Sequence, residues 1–131
     1  MTLELPGVST SPAVARHVVR AGLVASGEAA DLDALELITS ELVANAIACT
    51  AREVTVTMTA RVGGSVLLEV ADQGAGWPML PGSAVDERVG GLGLPIVDAL
   101  ATAWGCVENP DQGKTVWVEA PPPLDGSAPR R

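Results

Sequence analysis

Two short runs with a strict two-residue period constrain this chain more than anything else in it. Residues 53–61 alternate Val54, Val56 and Met58 with Thr55, Thr57 and Thr59, the pattern of a strand buried on one face only. Gly63-Gly64 reads as a hairpin turn, and a second run, Val66, Leu68 and Val70, leads to Asp72. A one-sided strand pair needs an apolar layer over its buried face, which points to an antiparallel sheet backed by helices. The second run ends in VADQGAGWP (residues 70–78), a carboxylate at a strand end with glycines directly beyond it. Such a grouping suits either an ordinary Asp/Gly turn or a pocket where the backbone must approach a ligand closely.

The covering helices are predicted upstream. Ser11-Pro12 reads as an N-cap with proline at the first helical position, opening a helix that Ser26-Gly27 ends. Val14, Val18 and Ala21 fall on one side of it, with Ala15, Val19 and Leu23 alongside. His17, the only histidine, reads as a structural or surface residue. Asp33 and Glu36 have capping-box spacing and open a second helix to about Ala48, with Leu35, Ile38, Leu42 and Ala46 in one stripe. Glu41 and Asn45 lie one turn apart on that helix. Two readings of them stay open: a solvated Glu–Asn pair, or an oxygen donor for a hard cation beside a carboxylate able to act as a base.

Core volume has to come from aliphatic side chains, because the 131 residues include no Phe or Tyr and only 3 Trp. That length suits one domain with a real core. A net charge of −8 argues against sequence-independent nucleic-acid binding and leaves basic protein surfaces open as partners. No run approaches the roughly 20 apolar residues of a membrane span, and the N-terminus lacks a signal-peptide pattern. We therefore expect a cytoplasmic protein with Cys49 and Cys106 as reduced, buried thiols rather than metal ligands or a disulfide.

Beyond the second strand, residues 79–89 show no period and read as a mobile loop. GGLGL (residues 90–94) then precedes a helical pattern of Ile96, Val97, Leu100 and Ala103 reaching Trp104. Glycines before a helix N-terminus form a recurrent phosphate cradle, because free N–H groups and the helix dipole favour an anion. The spacing is not the dinucleotide fingerprint. Gly113-Lys114-Thr115 is not a P-loop either, since Glu108 occupies the required upstream glycine position and a strand follows. Residues 104–107 and 114–119 read as a final hairpin, TLELP (2–6) as a short edge strand, and the Pro-rich residues 121–131 as a disordered tail. Three regions result: an arm over 1–10, a domain over 11–120, and the tail.

Taken in order, ELVANA (41–46) on a helix, DQGAG (72–76) after a strand, GGLGL (90–94) before a helix and GKT (113–115) opening a last strand resemble the GHKL, or Bergerat-fold, ATPases. That family includes gyrase, MutL and the histidine kinases. Within it, the wording is most similar to the anti-sigma factor serine/threonine kinases and to small stand-alone ATP-binding regulators of actinobacteria. The resemblance covers residues 11–119 and implies an α/β two-layer sandwich, with a mixed, mainly antiparallel sheet and helices on one face.

The resemblance also implies roles. Asn45 matches the asparagine that coordinates Mg²⁺ on the nucleotide phosphates, and Glu41 the general base of the serine kinases. Asp72 matches the carboxylate that accepts from the adenine amino group, with Gly74 and Gly76 passing close to the base. Thr115 matches a threonine acting beside that aspartate. Residues 77–90 match the ATP lid, Gly91, Leu92 and Gly93 its phosphate-contacting end, and Arg88 a lid arginine that reaches the terminal phosphate. Cys49 stands where many relatives carry a histidine. The implied partners are ATP with Mg²⁺ and a sigma factor or an anti-anti-sigma protein, with homodimers common among relatives. Two functions follow: an anti-sigma-type serine kinase, or a non-catalytic ATP/ADP-sensing interaction module.

Overall fold

The computed structural model describes residues 1–49, 52–61, 65–73, 93–110 and 113–123. Among these described residues the elements follow in the order β1 (Thr2–Leu5), α1 (Ser11–Ser26), α2 (Leu32–Cys49), β2 (Val54–Ala60), β3 (Val66–Asp72), α3 (Gly93–Leu100), β4 (Ala103–Glu108) and β5 (Lys114–Glu119). The strands form one five-stranded sheet in the order β1-β2-β3-β5-β4. Every neighbouring pair among them is antiparallel. Because β3 and β4 both oppose β5, they run in the same direction, and the chain passes from one to the other through α3. The mainly antiparallel two-layer sandwich expected from the sequence is the fold.

Strand alternation sets the layers. Val54, Val56 and Met58 of β2, Val66, Leu68 and Val70 of β3, and Val116 and Val118 of β5 are buried, while their odd-numbered neighbours are not. On the other side of the core, α1 contributes Ala15, Val19 and Leu23, α2 contributes Leu35, Ile38, Leu42, Val43 and Ala46, and α3 contributes Leu94 and Val97. Of the two apolar stripes expected on α1, only the Ala15–Val19–Leu23 one is buried; Val14 is 45% exposed.

Helix ends depart from expectation by one or two residues. α1 begins at Ser11 with Thr10 as its N-cap and Pro12 within its first turn, and the Ser11 hydroxyl donates to the Pro6 carbonyl at 2.6 Å instead of capping the helix. Gly27 ends α1 in the left-handed conformation, as Ser26-Gly27 predicted. α2 begins at Leu32, and its cap is Asp31: Asp31 Oδ1 accepts from the Ala34 N–H at 3.1 Å. Glu36, expected to close a box with Asp33, instead pairs with Arg20 of α1. Asp31 is also anchored through its own N–H, which donates to Pro121 at 2.9 Å. Asp31→Ala is therefore expected to lower stability by about 1 kcal/mol in urea unfolding, and Asp33→Ala by much less. Equal losses would restore Asp33 as the cap.

The predicted helix from GGLGL ends at Leu100, not Trp104. Ala103 and Trp104 belong to β4, where Gly105 lies opposite Trp117. A Cβ on Gly105 would meet the Trp117 indole at 2.7 Å, so the missing side chain makes room for the ring. The hairpin at Gly63-Gly64 and the tail beyond Pro123 lie outside the described residues.

Candidate functional site

Three positions converge on one end of the sandwich because of how the strands end. β3 runs out at Asp72, β5 starts at Lys114, β4 finishes at Glu108, and the three positions lie side by side, Asp72 opposite Lys114 and Lys114 opposite Glu108. Asp72 continues the buried alternation of Val66, Leu68 and Val70, so its carboxylate turns toward the helix layer, only 4% exposed. A charge in that position is costly without a partner. Lys114 supplies one: its Nζ donates to Asp72 Oδ1 at 3.1 Å, and it is 3% exposed.

The backbone beneath the pair is held just as closely. Gly113 has φ +85°, and a Cβ there would lie 2.1 Å from the Asp72 carbonyl oxygen and 2.8 Å from Gln73 Cα. Only glycine allows β5 to start this close to the end of β3. Asp72 is thus gripped twice by consecutive residues, its main chain against Gly113 and its carboxylate by Lys114.

Thr115, expected beside Asp72, is one residue out of place. It pairs with Ala71, alternation turns it to the helix-free face, and its hydroxyl donates to Asn109 Oδ1 at 3.1 Å. The place beside Asp72 belongs to Lys114, a residue that motif reading passed over. The signal was present: counting back by twos from the buried Val118 and Val116 reaches Lys114, not Thr115.

Glu41 and Asn45 are both half-buried on α2, one turn apart, flanking the buried Leu42, Val43 and Ala46. Glu41 is thus a carboxylate at the edge of the core, and Asn45 supplies amide chemistry one turn further on. α2 packs against β3 and α3, the elements that carry Asp72 and Gly93. Gly93 is the first residue of α3, so the glycine-rich stretch does run directly into a helix N-terminus. Gly74, Gly76, Arg88, Gly91 and Leu92 lie outside the described residues, as does the lid over 77–90.

A cavity of about 420 Å³ opens at the same strand end, lined by Arg52, Glu53, Thr55, Ala71, Asp72, Gln73 and Asn109. Thr55 and Ala71 are register partners on the face away from the helices, so this cleft is not the space between helices and sheet. Arg52 Nη1 donates across it to Gln73 Oε1 at 3.1 Å.

Cys106 lies on β4 opposite Val116, a free thiol near the ion pair that is half-buried rather than buried as expected. Burial pushes the thiol above its ordinary range; Lys114 pulls it down, and Asp72 and Glu108 add to the rise. The native state therefore keeps a proton that the unfolded chain releases, and this contribution to stability declines as pH climbs past the ordinary thiol value. At about pH 8, iodoacetamide is expected to modify Cys106 roughly tenfold more slowly in native protein than in urea, mapped by mass spectrometry. Equal rates would show that the thiol is neither shielded nor held neutral.

The residues fit a purine nucleotide with a hard divalent cation. A buried carboxylate offers hydrogen-bond acceptors to an amino group, the Gly113 approach leaves no room for a side chain beside it, and Asn45 offers an amide oxygen of the type that Mg²⁺ takes. Among the described residues no cluster of three or more His, Cys, Asp or Glu could hold a metal by itself. No described helix is long and apolar enough to cross a membrane.

No curated protein matches the chain. Residues 30–124, more than half its length, match the family described as Histidine kinase-, DNA gyrase B-, and HSP90-like ATPase, whose domains bind ATP. The chain belongs to that family: it is a GHKL-type, ATP-binding domain.

Proposed function

We propose that this protein is an ATP-dependent regulator of the anti-sigma type that phosphorylates a serine on an anti-anti-sigma partner. The observation that carries the reading is the pairing of two sites on one frame. Asp72, a buried carboxylate fixed by Lys114, suits recognition of the adenine amino group. On α2, which packs against the strand bearing Asp72, Glu41 and Asn45 stand one turn apart, a carboxylate able to act as a base and an amide able to ligate a cation, the two kinds of group that phosphoryl transfer uses.

In this reading Mg²⁺, when bound, offsets the charge of the nucleotide phosphates, and Asn45 is the ligand that the chain supplies to it. Asp72 orients the base. Glu41 takes the proton from a serine hydroxyl as its oxygen bonds to the γ-phosphorus and the bond to the departing ADP oxygen breaks. The acidic chain, with its net charge of −8, would meet a basic partner surface such as that of a sigma factor.

The test is transfer of labelled γ-phosphate from ATP to a serine of a candidate anti-anti-sigma protein. Glu41→Gln is expected to cut the transfer rate by about 10²-fold or more while leaving ATP affinity nearly unchanged. A Glu41→Gln protein as active as the wild type would remove Glu41 from the chemistry. Nucleotide-dependent partner affinity with no transfer at all would favour the sensing module instead.

A further inference from the structure

Helices cover one side of the sheet, and the open side is more than the plain polar surface that an antiparallel sheet can turn to water. Alternation places Trp117 there, between the buried Val116 and Val118. Trp104, the other tryptophan among the described residues, packs against the core and donates its indole N–H to Asp98 Oδ1 at 2.9 Å. Trp117 has neither tie among those residues. Its half-buried indole lies across the place that a Gly105 Cβ would take, on the side away from the helices. Covering Gly105 does not by itself account for so large a ring, since an alanine at 105 would fill the gap without one.

The charges around the ring have one sign. Glu69 stands directly opposite Trp117 on β3, Glu119 lies two residues along β5 on the same face, and Glu4 is on β1. These are the charged side chains that the described strands turn this way. The one basic residue within the strands, Lys114, points to the helix layer, and Arg52 and Arg61 lie beyond the two ends of β2.

We infer that this open face is a docking surface for a basic segment of a partner protein, with Trp117 as its anchor and Glu69 and Glu119 as its charge complement. An arginine or lysine set over the indole gains a cation–π contact, and its aliphatic stem covers the apolar surface that Trp117 leaves in water. The flanking carboxylates accept its N–H groups. Tryptophan is among the residue types that carry most binding energy at interfaces, and opposite charges around it set the register. The same charges exclude the other occupants. A second copy stacked face to face would bring glutamates against glutamates, and a nucleic acid or an anionic membrane would be repelled. The net charge of −8 allows a basic partner anywhere on the chain; Trp117 gives it a place. The surface needs neither nucleotide nor Glu41, so it can fail while phosphoryl transfer stands, and the reverse.

The experiment is calorimetric titration of the full chain, without nucleotide and at low ionic strength, with an amidated peptide of alternating arginine and valine. Wild-type protein is expected to bind it and not to bind the glutamate–valine counterpart. Trp117→Ala should weaken binding by about tenfold or more. Glu69→Gln/Glu119→Gln should weaken it by about tenfold. Asp33→Asn/Glu36→Gln removes the same charge from α2 on the helix side, and should change affinity by less than about threefold. If Trp117→Ala fails to fold, Trp117→Leu, which still covers Gly105, carries the same expectation.

Equal weakening by the two charge pairs would make binding a matter of net charge alone, and that result overturns the inference. So does a folded Trp117→Ala protein that binds the peptide as the wild type does, or a wild type that does not bind it. A wild type that sediments as a dimer, and as a monomer after Trp117→Ala, gives the face to a second copy and overturns it as well.

Discussion

Gly113→Ala is expected to destabilise the protein by about 3 kcal/mol or more, and with it to abolish nucleotide binding. Two costs add at this position. The left-handed φ of +85° is unfavourable for any residue with a Cβ, and that Cβ would stand 2.1 Å from the Asp72 carbonyl oxygen. The obstacle is backbone, the carbonyl at the end of the β3–β5 ladder, so it cannot swing aside as a side chain could. Relief would require β5 to lift from the end of β3, carrying Lys114 away from Asp72. Gly27 provides the control. Its φ is +74°, but nothing lies within 4 Å of a Cβ there, so Gly27→Ala should cost only the conformational part, about 1 kcal/mol. Urea unfolding of the two variants separates strain from collision, and equal losses would contradict the close approach at Gly113.

Asp72→Ala is expected to cost about 3–5 kcal/mol, because it leaves the Lys114 ammonium buried without its carboxylate. The double variant Asp72→Leu/Lys114→Met should recover most of that loss, since an apolar pair suits the space between β3 and the helix layer. Recovered stability should not bring recovered binding: neither the single nor the double variant is expected to bind ATP. Stability and recognition would then part company at one pair of residues. A double variant no more stable than Asp72→Ala would mean that the charges themselves hold the strand end together.

How much of this could be read from the sequence depended on how far each residue's period extended. β2 and β3 were legible because Val/Thr and apolar/polar alternation runs unbroken through both, and the same pattern took Asp72 inward with them. The stripe on α2 was legible for the same reason at the helical period. The end of α3 was not, because Ala103 and Trp104 extend an apolar helical spacing and Gly105 gives no strand signal. Only the Trp117 ring opposite explains that glycine, and although the two strands read as a hairpin, the register that sets Gly105 against Trp117 is not in the local pattern. Similarly, Asp31 and Asp33 are both good cap residues, and the choice between them was made by the contact of Asp31 with Pro121, far along the chain.

The candidate site shows the same division. Glu41, Asn45 and Asp72 were named from motifs, and the family they pointed to is the one the chain belongs to. Lys114 was passed over and Thr115 chosen in its place, an error of one residue. In a strand, one residue is the difference between the two faces of the sheet. Motif reading finds the segment; strand register decides which side chain meets Asp72.

The account turns on nucleotide bound at Asp72, and calorimetric titration of the wild type with ATP and ADP, with and without Mg²⁺, beside Asp72→Asn, tests it most directly. Saturable, Mg²⁺-sensitive binding by the wild type that disappears in Asp72→Asn is the predicted result. Binding by Asp72→Asn equal to that of the wild type, or no binding by the wild type at millimolar ATP, would contradict it.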